Sequence, residues 1–284
     1  MNLLRAEPGR FMNDALRLHV QKITKLPTIP VIAQAILKIV SNDLASADEL
    51  EEVIRKDPPI SAKILSVANS AFFGSKTPVT DIKNAVVRIG FDNVKNIALG
   101  ISLMTVLDDV KGNGTFGYAR IFEHSTVVGA TAKILSGKLN LAVEDVFING
   151  MLHDIGFLIM IKYFSDSYLR VLNTLEEKKS LLAAEESVFG FTHADMGTWL
   201  VDKWNLPQSI LDTTLYHHAP SGAKKHLRSV ALTHVADYIV SRSSYSATKN
   251  DPNYPLDPSS LDILGISEKE LWNMASEIKN EIIL

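Results

Sequence analysis

A histidine and an aspartate lie side by side, at His153 and Asp154, inside the apolar run from Phe147 to Ile161. Burying a polar or ionised group without a partner is costly, so we expect other polar groups to compensate this pair. The run is too short for a membrane span, which needs roughly 18 or more apolar residues. It predicts a core helix that faces a polar site.

Other nitrogen and oxygen donors lie on separate predicted helices before and after this pair. Imidazole suits divalent transition metals, and a carboxylate beside a ligating histidine can bridge two ions. A helical bundle builds a metal site in this way, with one or two donors from each helix. The candidate metal ligands are His124, His153, Asp154, His193, His217, His218 and Asp237.

The chain has no cysteine, which excludes disulfides and thiolate ligands. A metal would therefore be held by nitrogen and oxygen, and we expect one or two ions of iron, manganese, zinc or nickel. A second interpretation of the same residues is a hydrogen-bonded polar network without metal, because buried His-Asp pairs can satisfy one another. His234, one helical turn before Asp237, could support the site from behind or simply pack.

Charge and composition restrict the partners. The formal net charge of -3, with 46% hydrophobic and 21% charged residues, is ordinary for a globular protein and provides no basic footprint for nucleic acid or an anionic membrane. Residues 1–10 contain no apolar segment followed by a cleavage site, so no secretory signal is expected. These features predict a cytoplasmic protein.

Helical periodicity runs through most of the chain and predicts an all-α fold. In the first half, we expect helices over 31–40, from 46 to about 56, from Asp57-Pro58, from Thr80 or Asp81 to Gly90, and over 93–107 with Asp92 as its cap. Three glycines within 111–117 interrupt this pattern and predict a junction between two helical lobes.

In the second half, we expect helices over 118–139, 144–164, 165–189 with a charged interruption at 176–179, from His193, from Pro207 to His217-His218, and over 227–241. A loop over 248–260 should lead to a last helix with a capping box of Ser267 and Glu270. The predicted organisation is an N-terminal helical lobe over 1–112, a second helical lobe over 113–245 that carries the candidate ligands, and a C-terminal loop and amphipathic helix over 246–284.

Several segments resemble a known family. Residues 26–30 read Leu-Pro-Thr-Ile-Pro, 65–74 read Leu-Ser-Val-Ala-Asn-Ser-Ala-Phe-Phe-Gly, and 85–90 read Ala-Val-Val-Arg-Ile-Gly. Together with Glu186, Gly190, His193, the Trp-Asn-Leu-Pro at 204–207 and the His-His pair, they are similar to the HDOD domain, a bacterial signalling relative of the HD phosphohydrolases. The resemblance covers roughly residues 20 to 240 and implies the HDOD fold.

The order His, His-Asp, His, His-His, Asp also resembles the binuclear HD-GYP cyclic dinucleotide phosphodiesterases. That resemblance implies five imidazole ligands, with Asp154 as the bridging carboxylate and Asp237 as the closing one. The HD-GYP enzymes have a lysine directly after His-Asp-Ile-Gly, where this chain has Phe157, and their GYP segment is absent. At the position of an additional glutamate ligand in some of them, this chain has Arg120.

These observations lead to two functional hypotheses. The first is a cytoplasmic regulatory module of signal transduction that acts through protein partners, with a structural or metal-filled core and no catalytic residues. The second is a metal-dependent phosphohydrolase or phosphodiesterase acting on a nucleotide or cyclic dinucleotide, in which two ions would activate water and hold a phosphate. An exposed turn at Phe72-Phe73 is a candidate partner site. The sequence does not indicate an oligomeric state.

Overall fold

The structure is a computed structural model, and it describes residues 12–40, 42, 44–70, 77–108, 117–247 and 254–282. The described residues form helices, turns and loops with no strand, which confirms the all-α prediction. The predicted turn at Phe72-Phe73, residues 111–116 of the predicted junction, and the boundary between the predicted lobes lie outside the described residues. The division into lobes stays a prediction.

The first half consists of short helices. They are α1 Asp14–Val20, α2 Val31–Val40, α3 Ala47–Arg55, α4 Pro58–Ala68, α5 Ile82–Ile89 and α6 Phe91–Thr105. α6 is almost wholly buried and packs on α2, α4 and α5, so it is the centre of this group. The other side of α6 contacts the second half of the chain, which gives a shared hydrophobic core.

The second half carries the candidate ligands. Its helices are α7 Tyr118–Lys138, α8 Val146–Leu152, α9 Ile155–Lys178, α10 Leu181–Phe189, α11 His193–Lys203, α12 Gln208–Tyr216, α13 Leu227–Val240, α14 Pro258–Leu264 and α15 Glu268–Ile282, with a 3-10 turn at Pro220–Gly222. α8 packs against α6, α7, α12 and α13 and so lies in the middle of the bundle.

Most helix starts are where cap chemistry predicts them. Ser46 closes a capping box with Glu49, and Asp57 accepts a hydrogen bond from the Ile60 N–H at 3.1 Å. Asp81, rather than Thr80, caps α5. Thr192 caps α11, and Ser267, just before α15, accepts a hydrogen bond from the Glu270 N–H. These side chains satisfy N–H groups that a helix cannot satisfy internally.

Three predicted boundaries are wrong. Gly90, at φ 90°, both ends α5 and precedes α6, so α6 begins at Phe91 and Asp92 lies in its first turn instead of capping it. Asp257 caps α14 with Pro258 in the first turn, so the predicted loop over 248–260 contains the start of a helix. The predicted helix over 144–164 is two helices, which meet at the His-Asp pair.

Two segments of the family resemblance have structural roles. Asn69 donates to the Val79 carbonyl at 2.8 Å and accepts from the Val79 N–H at 2.7 Å, so it anchors the chain between α4 and α5. Trp204 donates from Nε1 to the Pro27 carbonyl at 2.9 Å. The Leu-Pro-Thr-Ile-Pro and Trp-Asn-Leu-Pro segments, which lie far apart in sequence, therefore meet in the fold.

Among the described residues, one helical stretch, Val146–Leu175, is long and apolar enough to cross a membrane by length and composition alone. An 18-residue window within it has a mean hydropathy of 1.3. Within the fold, 89% of that window is buried. Its apolar character is thus explained by its place in the core.

Candidate metal centre

The break between α8 and α9 places His153 and Asp154 at a corner of the backbone. His153 ends α8, and Asp154, at φ -100° and ψ 13°, precedes α9. Gly156 follows because α9 crosses α11 there at very close range: a Cβ on Gly156 would lie 1.9 Å from the His193 carbonyl oxygen. The apolar run concealed this break, since both helices are buried and periodicity alone cannot separate them.

The structure brings all seven candidate ligands together. The Asp154 carboxylate is at the centre, and its two oxygens face different histidines. Oδ1 lies 3.3 Å from His193 Nε2 and 3.6 Å from His217 Nε2. Oδ2 lies 3.3 Å from His153 Nε2 and 3.5 Å from His124 Nε2. One carboxylate therefore lies between two groups of imidazoles.

Asp237 and His218 complete the two groups. Asp237 Oδ1 lies 3.1 Å from His124 Nε2, and its Oδ2 lies 3.8 Å from His153 Nε2. His218 Nε2 lies 2.9 Å from His193 Nε2, and His217 Nε2 is 3.3 Å from the same atom. One group thus comprises His124, His153 and Asp237, the other comprises His193, His217 and His218, and Asp154 lies between them.

Backbone carbonyls orient three of the imidazoles. Nδ1 of His124, His153 and His217 lies 2.9, 2.6 and 2.9 Å from the carbonyl oxygens of Tyr245, Gly150 and Thr214. A carbonyl can only accept, so each Nδ1 carries a hydrogen and each ring turns Nε2 inward, where the nitrogen binds a metal when the ring is neutral. This arrangement is typical of histidines that bind metals.

Glu185 orients the fourth imidazole, and the sequence did not indicate it. Its Oε2 accepts from the backbone N–H of His193 at 2.9 Å and from Nδ1–H of the same residue at 2.8 Å. Glu185 is fully buried, whereas Glu186, which the family pattern included, is exposed. Helical register could have identified Glu185, because Leu181 and Ala184 of the same helix are also buried.

The two aspartates are ionised although they are buried. Burial raises the pKa of Asp154, but the nearby imidazoles of His153 and His193 outweigh this effect and hold it well below its usual range. Burial likewise raises the pKa of Asp237, but hydrogen bonding to His124 and the charge of His153 lower it overall. The centre therefore offers two carboxylates to a cation.

The histidines divide into two electrostatic classes. Burial disfavours the charged form of His193, yet the carboxylates of Glu185 and Asp154 outweigh it and raise the pKa of His193 to about 10. Burial, together with the charge of His153, lowers the pKa of His217 to about 3, and burial also lowers that of His218. His217 and His218 are neutral at physiological pH, which is the form that binds a metal.

The residues present fit a divalent transition metal. Each three-residue group offers donor atoms that all lie within 4.8 Å of one another. His153 Nε2 is buried and makes no hydrogen bond within the described part of the chain, although the Asp154 carboxylate lies 3.3 Å away and a buried imidazole nitrogen usually has a partner. A cavity of about 40 Å³ adjoins the site, which is room for one or two ions with water. The donors are nitrogen and oxygen throughout, and the arrangement can hold one or two ions.

The remaining residues of the sequence analysis lie around this centre. His234 Nδ1–H donates to the His217 carbonyl at 2.7 Å, and its Nε2 accepts from the Asp257 N–H at 2.8 Å, so it supports the His-His pair from behind. Arg120 donates to the carbonyl oxygens of Ser244 and Ser246. Phe157 stacks on the His193 ring, with centroids 3.9 Å apart.

The sequence matches the HDOD domain model over residues 26–220. It is 22% identical over 219 residues to an uncharacterised protein of Treponema pallidum (strain Nichols), a match that covers 75% of this chain and 42% of the relative. The chain thus spans less than half the length of that curated relative.

Three solved structures share the fold. An HDOD domain protein of unknown function from Geobacter sulfurreducens has a TM-score of 0.70 at 20% identity, with 95% of this chain and 98% of that chain covered. A candidate signal transduction protein from Marinobacter aquaeolei VT8 has a TM-score of 0.76 at 21% identity, with 95% and 64% covered. A candidate phosphohydrolase from Shewanella amazonensis SB2B has a TM-score of 0.74 at 20% identity, with 95% of each chain covered.

Proposed function

The chain belongs to the HDOD domain family, and we propose that it is a regulatory module of bacterial signal transduction that acts in the cytoplasm through protein partners. In this proposal the seven donors hold one or two divalent transition-metal ions, and the metal centre has a regulatory or structural role. The neighbour named as a candidate signal transduction protein supports this assignment at the level of the fold. Nucleic acid and membrane are not among the proposed partners.

One observation carries the proposal most directly. The cavity beside the metal centre has a volume of about 40 Å³, and no Lys or Arg is among the described residues that line it. Pockets for small-molecule ligands are usually about 300–1,000 Å³. The HD-GYP enzymes have a lysine at the position of Phe157, and in this chain the phenylalanine side chain is 2% exposed and packs on His193. Among the described residues, the site therefore has donors for a metal but little room or positive charge for a nucleotide.

The seven side chains have distinct roles in this proposal. His124, His153 and Asp237 would hold one ion, His193, His217 and His218 a second, and Asp154 would contact both. A bound divalent ion supplies positive charge that satisfies the two buried carboxylates. Glu185, Tyr245, Gly150 and Thr214 position the imidazoles through their Nδ1 atoms.

Elemental analysis of untagged protein tests the metal centre. We expect about one or two equivalents of iron, manganese, zinc or nickel in the natural protein and a loss of most of it in Asp154→Ala. Asp202→Ala, at an exposed position on α11, is the matched control and should retain the metal. Equal metal content in all three proteins, or no metal in any, would contradict the assignment of the ligands.

Comparison of strains tests the regulatory role. A chromosomal Asp154→Ala substitution should reproduce the gene-expression changes of a deletion strain, while the metal-loaded protein turns over neither a phosphodiester nor a cyclic dinucleotide. An Asp202→Ala strain should resemble the parent. If the deletion leaves gene expression unchanged, the regulatory assignment is wrong.

The alternative function is a metal-dependent phosphohydrolase or phosphodiesterase. The position of the Asp154 carboxylate between two imidazole groups favours it, because two-metal hydrolases use such a carboxylate. The neighbour named as a candidate phosphohydrolase shares the fold. Steady hydrolysis of a nucleotide or cyclic dinucleotide by the metal-loaded protein, lost in Asp154→Ala, would establish this function and displace the first proposal.

A further inference from the structure

A second cavity lies away from the metal centre, where α8, α12 and α13 begin. Its volume is about 850 Å³, which is in the range of small-molecule sites, and it shares no lining residue with the cavity at the metal centre. Ser229 and Asp237 are eight positions apart along α13, which separates the two sites by about 12 Å. This cavity is therefore a separate candidate site.

Two helix starts at this cavity have free backbone donors. α12 begins at Gln208 after Pro207, and α13 begins at Leu227 after His226, and neither start has a side-chain cap. The first N–H groups of a helix lack partners within the helix and carry partial positive charge. Two such starts in one cavity wall favour an anionic group of a ligand.

Ser229 is an independent indication of a ligand. It lines the cavity and is only 4% exposed, and its hydroxyl makes no hydrogen bond with any residue in the described part of the chain. A hydroxyl in the wall of a cavity can both donate a hydrogen bond to a ligand and accept one from it. The adjacent Arg228, which also lines the cavity, is exposed and provides a positive charge beside it. The hydroxyl and the guanidinium are suited to bind an oxyanion.

This wall of the cavity is held in place by a buried carboxylate. Asp212, which is 7% exposed, accepts a hydrogen bond from Gln208 Nε2 at 2.7 Å with one oxygen. Its other oxygen accepts from His226 Nδ1 at 2.8 Å. Since Gln208 begins α12 and His226 precedes α13, these two bonds fix the distance between the two helix starts. The donors are therefore arranged before a ligand binds.

The cavity also contains negative charge. Glu144 and Asp145, just before α8, line it, and neither carboxylate pairs with a cation among the described residues. A ligand that carried only negative charge would be repelled by them. A ligand with a positively charged group as well as an oxyanion satisfies both parts of the lining.

We propose that this cavity binds a small zwitterionic metabolite, whose phosphate or carboxylate group is held by Ser229, Arg228 and the two helix starts. Its ammonium or other cationic group faces Glu144 and Asp145. The metal centre takes no part in this binding, so the proposal does not depend on the proposed function.

The test is a titration of the isotope-labelled full chain, followed by amide NMR at constant pH and ionic strength. The probes are O-phosphoethanolamine and inorganic phosphate. We expect saturable shifts of the amides of Gln208, Ser209, Leu227, Arg228 and Ser229, with at least threefold tighter binding of phosphoethanolamine. Asp145→Asn should reduce that preference.

Substitutions then test the oxyanion site. Ser229→Ala and Arg228→Gln should each weaken phosphoethanolamine binding at least fivefold, while Arg170→Gln, an exposed arginine on α9, should leave it unchanged. Unchanged melting temperatures would show that the variants fold. The absence of saturable shifts at these amides, binding that the two variants do not weaken, or equal binding of inorganic phosphate would overturn the proposal. Asp154→Ala should bind the probe like the natural protein, which separates this test from that of the metal centre.

Discussion

At the scale of single residues, the metal centre depends on a few buried charges. Asp154 and Asp237 face five imidazoles, and Glu185 lies behind His193. The second oxygen of Glu185, Oε1, makes no hydrogen bond with the residues that the structure describes. Burial raises the pKa of Glu185, and its bonds with His193 partly offset this effect. The pair of Glu185 and His193 is therefore a sensitive point of the site.

Glu185→Gln is expected to weaken metal binding by about 10- to 100-fold, because an amide can still accept from Nδ1–H of His193 but adds no negative charge. The measurement is a competition titration with a chelator of known affinity. Glu186→Gln, at the exposed neighbouring position, is the matched control and should leave affinity unchanged. Unaltered affinity in Glu185→Gln would mean that the carboxylate only packs.

Phe157→Ala should lower the free energy of unfolding by roughly 3–5 kcal/mol, because it removes a fully packed ring and leaves a cavity. Phe157→Leu should cost less, on the order of 1–2 kcal/mol, since it keeps most of the volume but loses the stacking on His193. Urea denaturation of the metal-free proteins measures both. Equal costs for the two substitutions would show that the lost stacking, rather than the cavity, accounts for the destabilisation.

At the scale of helices, the contact between α9 and α11 determines the geometry of the site. Gly156 and Gly197 approach one another there; Gly156 lies two residues after Asp154, and Gly197 lies four residues after His193. A Cβ on Gly156 would meet the backbone of His193, which cannot move without displacing an imidazole. The contact explains why glycine follows His-Asp-Ile in this sequence.

Gly156→Ala is expected to reduce the free energy of unfolding by about 3 kcal/mol or more and to lower the metal content. The control is Gly137→Ala in α7, where a Cβ meets nothing within 4 Å. That substitution should increase the free energy of unfolding by up to about 1 kcal/mol, because alanine favours a helix over glycine. Thermal unfolding and elemental analysis of both variants measure these effects. A stable, fully metallated Gly156→Ala protein would contradict the prediction.

At the scale of the whole molecule, α6 and the segment before α2 connect the two halves. α6 contacts both the short N-terminal helices and α8, and the bond between Trp204 and Pro27 adds a polar contact at the segment before α2. A second hydrophobic cluster joins α7, α13, α14 and α15. The metal centre lies within these packed helices, so an ion bound there would stabilise the fold as a whole.

Removal of metal should therefore lower the melting temperature. A ligand at 100 times its Kd adds about 2.7 kcal/mol, which corresponds to roughly 5–10 °C for a chain of this size. Calorimetry before and after treatment with a chelator measures the change, and re-addition of the metal should reverse it. The chelator should not affect Asp154→Ala; an equal decrease in that variant would point to a metal bound elsewhere.

Much of this protein follows from local patterns in the sequence. Apolar periodicity and cap residues such as Ser46 and Asp57 predict the all-α fold and most helix starts, because caps act within one turn of the chain. The order of histidines and aspartates predicted seven candidate ligands, and the fold places these side chains close together. Their occupation by metal stays a prediction.

Only the tertiary structure decided how these residues are arranged. The helix break at His153-Asp154 lies beside the close approach of α9 to α11, a contact between segments that no local pattern records. No local pattern records the hydrogen bond between Glu185 on α10 and His193 on α11 either. The second cavity likewise depends on packing, because it forms where three separate helices begin. Periodicity shows which face of a helix is buried, but the packing of helices against one another determines which side chains meet.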